Sequence, residues 1–143
     1  MELFRSFQIS GSALTAEKLR VDTVSSNLAN METTRTLEGG PYRRKTVVFA
    51  ERLALARRGD MPPAFRRNGV HVAAVVEDPN PPRLAYDPEH PDAGEDGYVA
   101  YPNIDLAKEM TDLITASRSY EANTTAVNTA KSLYLKALEI GRG

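Results

Sequence analysis

The chain contains no cysteine among its 143 residues, and this absence removes several classes of site before any motif is considered. Disulfide frameworks and metal sites built on thiolates are both excluded, because each needs cysteine sulfur. Histidine is nearly as scarce, with two residues. That scarcity disfavours a catalytic triad in a chain that also lacks a Gly-x-Ser-x-Gly turn. No glycine-rich segment has the strand-to-helix context of a phosphate-binding loop.

Long apolar runs are missing as well. No run reaches the ~20 residues that a helix needs to cross a bilayer, so we expect no membrane insertion. The first residues, Met1 to Arg5, lack the basic region and apolar stretch of a secretory signal, which predicts that no signal peptide is cleaved. Taken alone, these absences indicate a protein of the cytoplasm.

The formal net charge of -1 conceals two blocks of opposite sign. Between residues 35 and 67, nine basic side chains stand against three acidic ones, and between residues 77 and 96, seven acidic ones stand against one basic. Opposite patches suit head-to-tail or lateral contact between copies, because complementary charge steers and orients partners. Two solvated loops with segregated charges are an equal alternative.

Apolar residues recur every seven positions at both ends of the chain, which is typical of helices that pack one face along other helices. The pattern predicts a first helix over about residues 2–30 and a second from Asn103 or Asp105 to Gly141. A third row in the second helix, containing Ala116 and Ala130, is mostly small and permits close helix approach. Because the apolar rows are flanked by polar ones, several helical neighbours fit better than an isolated dimer. A helical hairpin within one chain remains the alternative.

The middle of the chain reads as a small β insert. Strands are predicted over residues 42–50, 70–76, 83–86 and 98–101, from β-branched and alternating residues. Asn68-Gly69 is a turn signal, residues 51–58 fit either a helical turn or more strand, and prolines and glycines make residues 87–97 a loop. The predicted fold class is therefore α+β, with long terminal helices in a coiled-coil-like layer and a β-hairpin insert. The predicted parts are residues 1–34, 35–102 and 103–143.

Evidence for catalysis is weak. The acidic loop over residues 87–96 places carboxylates near His90, and such a set is able to bind a divalent cation. Its spacing matches neither a calcium loop nor a helical zinc motif, so an acidic surface loop is the preferred interpretation. The Arg43-Arg44-Lys45 cluster is a candidate phosphate contact, but it has one aromatic neighbour and no nucleic-acid fold. We expect no enzyme activity, no cofactor and no nucleic-acid partner.

Set side by side, these segments resemble the axial proteins that build the rod and hook of the bacterial flagellum. The Ser-x-Asn-x-Ala-Asn pattern at residues 25–30, followed by Thr33-Thr34, is similar to a signature of that family. Further similar segments follow in order along the whole chain: residues 9–16, 39–44, 87–92, 97–103, 109–110 and 117–123. Residues 39–44 and 90–92 favour one proximal-rod protein over other axial subunits.

The resemblance implies a structural subunit whose terminal helices form the inner layer of a tubular rod, with the insert outside. It implies polymerisation with copies of itself and with other proximal-rod proteins (FlgB, FlgF and FliE), a distal rod beyond them, and transmission of motor torque. It also implies passage through the flagellar type III export apparatus with an uncleaved signal, so that the mature site is the periplasmic basal body. This expectation replaces the cytoplasmic one.

The helical rows and the resemblance together predict an assembly interface. Asn27, Asn30, Thr33 and Thr34 are expected to end the first helix, bonding to its last carbonyls or to the second helix. Tyr120 and Asn123 are expected on one side of the second helix, with Glu121 on another for a neighbour; ordinary helix surface is the alternative. The complete predicted set is Phe7, Leu14, Val21, Asn27, Leu28, Asn30, Thr33, Thr34, Leu106, Met110, Leu113, Ser117, Tyr120, Glu121, Asn123, Val127 and Tyr134. Such amphipathic ends are expected to be largely disordered in the free monomer and to fold on assembly.

Overall fold

The computed structural model describes residues 2–53 and 67–141. It contains two long helices and two antiparallel two-stranded sheets, which confirms the predicted α+β class. In chain order the elements are α1 (Glu2–Ala29), β1 (Lys45–Leu53), β2 (Arg67–Glu77), β3 (Arg83–Tyr86), β4 (Tyr98–Tyr101) and α2 (Leu106–Ile140). The first strand begins three residues later than expected, and it continues to Leu53 where a helical turn was the alternative. The rest of that alternative, residues 54–58, lies outside the described residues.

The helices α1 and α2 pack as an antiparallel pair. Asn27 near the end of α1 bonds to Glu109 in the first turn of α2, and Arg20 lies within 3.7 Å of Asp112. Contacts made by earlier residues of α1 are thus made with later residues of α2, as an antiparallel pair requires. Asp105 caps α2, because its carboxylate accepts hydrogen bonds from the backbone N–H groups of residues 107 and 108. A helical hairpin within one chain is therefore present.

Small and polar side chains form the buried face between the helices, in keeping with the small row expected to permit close approach, and the apolar rows lie beside that face. Ala16 and Ala116 are buried there, together with Thr23. The apolar row of α1 is only half-buried, and Leu106 and Tyr120 of the α2 row are exposed. Small residues let two helix backbones approach closely, and the larger side chains are then displaced to the flanks of the contact. Those flanks remain available to other neighbours.

The β1–β2 pair forms a ribbon that runs along α1. Lys45, at the start of β1, is hydrogen-bonded to Asn27, and Val70 of β2 donates its N–H to Ser12 Oγ. From Asn27 back to Ser12 the helix rises by ~22 Å. The part of β1 from Lys45 to Glu51, the partner of Val70, spans a similar ~20 Å. Helix α1 therefore contacts α2 and the ribbon along much of its length.

Two bulges interrupt β2, and at each of them a prediction from the sequence was wrong. Asn68 and Gly69 lie inside β2 rather than in a turn between strands. Gly69 has φ +101°, and this left-handed backbone, which favours glycine in turns, serves here to form a bulge. The second bulge places Ala73 between the paired residues Val72 and Ala74. Residues 73–77 are all exposed, so the expected half-buried alternation ends at this bulge.

The second sheet pairs β3 with β4 in the predicted strands, joined by the predicted loop over residues 87–97. Gly97 turns the chain into β4 with φ +77°, and a Cβ there would lie 2.8 Å from the ring of Tyr86. Val99 of β4 is fully buried. The loop is tied to the end of α1, because Thr34 Oγ1 donates to Asp92 at 2.8 Å.

The described residues bury little apolar surface. The buried apolar side chains among them are Ala16, Val24, Val99 and Ala116. Large apolar side chains that stay exposed on α2 are Leu106, Met110, Ile114, Leu133, Leu135, Leu138 and Ile140. Neither of the described helices combines the length and apolarity that a bilayer crossing requires. Exposed apolar surface on this scale marks contact with other molecules.

Candidate assembly interface

Three polar side chains join the two helices to the insert, and we call Asn27, Arg44 and Glu109 the polar junction. Asn27 comes from α1, Glu109 from α2, and Arg44 immediately precedes β1. Glu109 Oε2 accepts a hydrogen bond of 2.9 Å from Asn27 Nδ2, and Glu109 Oε1 accepts one of 2.5 Å from Arg44 Nε. The junction therefore fixes the place where all three parts of the chain meet.

The amide of Asn27 is fully satisfied. Its Nδ2 also donates to the carbonyl of Lys45 at 2.8 Å, while its Oδ1 accepts from the N–H of Lys45 at 2.9 Å and from the Tyr42 hydroxyl at 3.1 Å. The side chain thus pairs with the backbone of Lys45 as a neighbouring strand would. Because it is 0% exposed, loss of any of these bonds leaves a buried polar group unpaired.

Glu109 is 0% exposed as well, and its charge is balanced by Arg44, whose side chain is 14% exposed. Arg44 also lies 3.6 Å from Asp112, which in turn lies 3.7 Å from Arg20. A buried pair of this kind adds little net stability, but removal of one partner costs about 3–5 kcal/mol because a buried charge is left uncompensated. The main effect of the pair is therefore to fix how α1, α2 and the segment before β1 lie against one another, and its net contribution to the stability of the fold is small.

Sequence reasoning missed the main role of two junction residues. Glu109 was noted only within a segment similar to the axial proteins, and Arg44 was a candidate for phosphate contact. In the structure Arg44 is engaged by carboxylates of its own chain. A signal was present, because Glu109 begins the small seven-residue row that continues through Ala116 and Ala130. An acid in a row of alanines predicts a buried partner.

The helix-end residues hold the turn that follows α1. Asn30 Nδ2 donates to the carbonyl of Ser26 at 2.9 Å, within the last turn, and Thr33 Oγ1 donates to Asn30 Oδ1 at 3.1 Å. Thr34 bonds to Asp92 of the acidic loop, and Arg35 lies within 3.8 Å of the same carboxylate. The basic and acidic blocks therefore meet within one copy at Asp92, which leaves a smaller part of each for other copies. Of the basic block, Arg57, Arg58 and Arg66 lie outside the described residues.

The other predicted interface residues lie along the flanks of the helix pair or at the end of α1. Tyr120 and Glu121 are exposed on α2, whereas Asn123 is half-buried and donates to the carbonyl of Ser119. Exposed with them are Leu106, Met110 and Tyr134. Half-buried are Phe7, Leu14, Val21, Leu28, Asn30, Thr33, Thr34, Leu113, Ser117 and Val127.

The acidic loop is organised by its own hydrogen bonds. The N–H of Asp92 donates to His90 Nδ1 at 3.1 Å, and the His90 ring packs edge-to-face against Tyr101. Within residues 2–53 and 67–141, no group of three or more His, Asp and Glu side chains is placed to hold a metal ion. The geometry of the described residues therefore offers no support for metal-dependent chemistry at His90.

Comparison with known families defines the class of this protein. The family described as flagella basal body rod protein matches residues 7–35, and the family described as flagellar basal body rod FlgEFG protein C-terminal matches residues 95–140. These two segments cover most of α1 and all of α2. The class is that of flagellar rod proteins.

Full-length relatives narrow the class further. Flagellar basal-body rod protein FlgC of Borreliella burgdorferi is 44% identical over 152 residues, covering all of both chains. The FlgC proteins of Bacillus subtilis and Salmonella typhimurium are 47% and 42% identical, each over 99% of this chain and all of their own length. The chain belongs to the FlgC family of flagellar basal-body rod proteins. The family is structural and is not a family of enzymes.

Proposed function

We propose that this chain is a subunit of the proximal rod, the segment of the drive shaft nearest the motor, and that it carries torque from the motor towards the hook. The end-to-end relationship to FlgC proteins carries this proposal. The helix pair supports it, because its buried face is small while large apolar side chains remain exposed. A rod subunit acquires the missing apolar contacts from its neighbours.

In this proposal the three predicted parts of the chain have different places in the rod. These parts are residues 1–34, 35–102 and 103–143. The first and last parts contain the helices and form the inner layer of the tube. The middle part contains both two-stranded sheets and lies outside that layer. A long helix pair aligned with the axis gives stiffness along it, because helix backbones resist bending through their hydrogen-bond ladders.

Torque transmission requires that the insert and the helices move as one body. The polar junction supports this requirement, because a fully hydrogen-bonded buried network permits one arrangement of the elements that it joins. At the other end of the ribbon, Ser12 Oγ accepts from the Val70 N–H at 3.1 Å and donates to the Ile9 carbonyl at 2.7 Å. The ribbon is thus held to α1 at two points about 22 Å apart.

We assign assembly contacts to the exposed and half-buried members of the predicted interface. Tyr120→Ala removes an aromatic side chain that is 39% exposed on α2, so it is expected to reduce incorporation into basal bodies more than it reduces the amount of soluble protein. Tyr86→Ala, at an exposed tyrosine on β3, is the comparison variant. Equal incorporation of both variants would contradict an assembly role for Tyr120.

The partners in this proposal are copies of the chain itself, the other proximal-rod proteins FlgB, FlgF and FliE, and the distal rod beyond them. The chain reaches the periplasmic part of the basal body through the flagellar type III export apparatus, with its N-terminal signal retained. Limited burial of apolar side chains suits this route, because a chain with few buried contacts unfolds at low cost for a narrow channel.

The test is deletion of the gene in its native host, followed by purification of basal bodies and electron microscopy. Deletion is expected to abolish swimming and to leave ring structures without rod and hook, and a plasmid copy is expected to restore both. Mass spectrometry of basal bodies from the rescued strain is expected to find the chain with an intact N-terminus beside the other rod proteins. Complete rods and normal swimming in the deletion strain would contradict the proposal.

A further inference from the structure

An apolar side chain stands alone at the tip of a turn after α1. Leu37 is fully exposed, and we call residues 35–43 the Leu37 loop. The turn beneath it is closed by hydrogen bonds from the Thr36 N–H to the Gly40 carbonyl at 2.9 Å and from the Gly39 N–H to the Thr36 carbonyl at 3.1 Å. Gly39 and Gly40 have φ +90° and +75°, so the tight backbone path depends on glycine. The turn therefore holds the leucine outward in a defined position.

A groove of about 400 Å³ lies on the flank of the helix pair, and we call it the Tyr120 groove. Val21 of α1 and Tyr120 of α2 are its larger apolar walls, with Ser117 beside them. Its remaining lining residues are the exposed side chains Lys18, Asp22 and Glu121. A concave, partly apolar site with charges at its edge is the form that receives one protruding apolar side chain.

The charges around the two features are complementary in both sign and number. Exposed charges of the Leu37 loop are Arg35, Glu38 and Arg43, two positive and one negative. Those of the groove are Asp22, Glu121 and Lys18, two negative and one positive. Arg43 is exposed, whereas Arg35 already lies 3.8 Å from Asp92 of its own chain. Pairing of the loop with the groove would place the exposed Arg43 beside the acidic side chains Asp22 and Glu121, which favours this orientation over others.

We propose that the Leu37 loop of one copy docks into the Tyr120 groove of a second copy. This inference rests on the proposed rod function and names one contact within it. Leu37 does not fill the groove of its own copy, since its side chain is fully exposed. The groove residue Val21 lies about 12 Å along α1 from the helix end at Ala29, after which the loop begins. Because the loop and the groove are different surfaces, each copy is able to bind one neighbour through its loop and another through its groove. Contacts of that heterologous kind build rings or helical arrays rather than closed dimers.

The natural absence of cysteine allows a direct test. A chain carrying Leu37→Cys and Ser117→Cys is expressed in the deletion strain, and its basal bodies are purified, mildly oxidised and separated on a non-reducing gel. Docking brings the two sulfurs within bonding range, so links between copies are expected to form a ladder of covalent multimers. Each single variant, and the pair Leu37→Cys with Leu84→Cys on exposed β3, is expected to give no ladder.

The outcomes separate this inference from the proposed function. Intact rods that contain the chain but show no ladder would overturn the docking mode and leave the rod function standing. Basal bodies that are complete without the chain would overturn both. A photoreactive residue at position 37 identifies the occupant: a link to another rod protein, rather than to a copy of this chain, would also overturn the inference.

Charge reversal provides a second, independent test. Arg43→Glu and Glu121→Arg each place like charges across the proposed contact, and each is expected to lower incorporation by about tenfold, which is the scale of one important contact. The double variant restores opposite charges and is expected to recover incorporation. Arg83→Glu, at an exposed site of β3 outside the groove, is the control. Double variants that assemble as poorly as the singles would contradict the pairing.

Discussion

At the scale of single residues, Asn27 is the most demanding position of the fold. Its amide makes four hydrogen bonds from a fully buried site, and one of them goes to the carboxylate of Glu109. An aspartate at this position replaces the donor with an acceptor and faces a second carboxylate. The requirement at position 27 is therefore for an amide and not merely for a polar side chain of the same shape.

Asn27→Asp is expected to lower the free energy of unfolding by about 3–5 kcal/mol, because it buries an unpaired charge. Thermal unfolding followed by circular dichroism measures the change. Asn128→Asp makes the same replacement on the exposed face of α2 and is expected to stay within about 0.5 kcal/mol of the parent. Equal stability of the two variants would show that the junction does not depend on the amide of residue 27.

Gly69 is a second position with a narrow requirement. A Cβ there would overlap Ser12 Oγ and lie 3.3 Å from the Ile9 Cα, and the backbone has φ +101°. Gly69→Ala is expected to destabilise the protein by about 1–3 kcal/mol, the cost of a side chain in a strained backbone. Gly11→Ala is the matched control, since a Cβ at position 11 meets nothing within 4 Å and alanine favours a helix by about 1 kcal/mol. Unfolding temperatures that fall equally for both would contradict the account of the bulge.

At the scale of elements, the polar junction couples α1, α2 and the segment before β1. Arg44→Met leaves the buried Glu109 carboxylate without its cation and is expected to cost about 3–5 kcal/mol. Glu109→Met is expected to cost less, because Arg44 still lies 3.6 Å from Asp112. The double variant removes both charges, so it is expected to be more stable than the sum of the single effects, by about 0.5–3 kcal/mol. Arg43→Met, at the exposed neighbouring residue, serves as the control. Strictly additive losses would show that the pair is not coupled.

The elements were more predictable from sequence than their contacts. Strands β3 and β4 and the approximate helix bounds follow from local patterns of alternation, periodicity and capping, and Asp105 is one of the two caps that were expected for α2. The bulge at Gly69 was mistaken for a turn, because a positive φ serves both and only the pairing partner distinguishes them. The small row of α2 was expected to permit close helix approach, and Ala116 of that row is buried. Which row faces the partner helix in the same chain was left open, because periodicity alone does not distinguish the rows.

The candidate site was predictable in part for the same reason. Asn27 was expected to bond either to the last carbonyls of the first helix or to the second helix, and the structure shows the second alternative, through Glu109. Arg44 was not expected there, because its carboxylate partners are 65 or more positions away along the chain. Pairings over such separations depend on how the ribbon lies against α1. Local patterns carry no information about that placement.

At the scale of the whole molecule, burial is concentrated at one end of the helix pair. Glu109 and Ala116 are buried near the start of α2, whereas every residue from 131 to 140 is exposed. The part of the helix with the fewest contacts is held by its own hydrogen bonds, and helices without tertiary contacts are marginal in water. The subunit is therefore expected to fold from the junction outwards, with its far end ordered last.

Hydrogen exchange of the free chain, read by mass spectrometry, tests this gradient. Amides of residues 131–140 are expected to exchange at rates close to those of an unfolded peptide, while amides near Ala116 are slowed by tertiary packing. In purified basal bodies both segments are expected to be protected, because neighbouring copies then cover the exposed leucines. Equal protection of the two segments in the free chain would mean that the helices are complete before assembly. Export would then require unfolding of the whole of α2. With unequal protection, the last turns of α2 are already unfolded in the free chain and only the rest of the helix has to be unfolded.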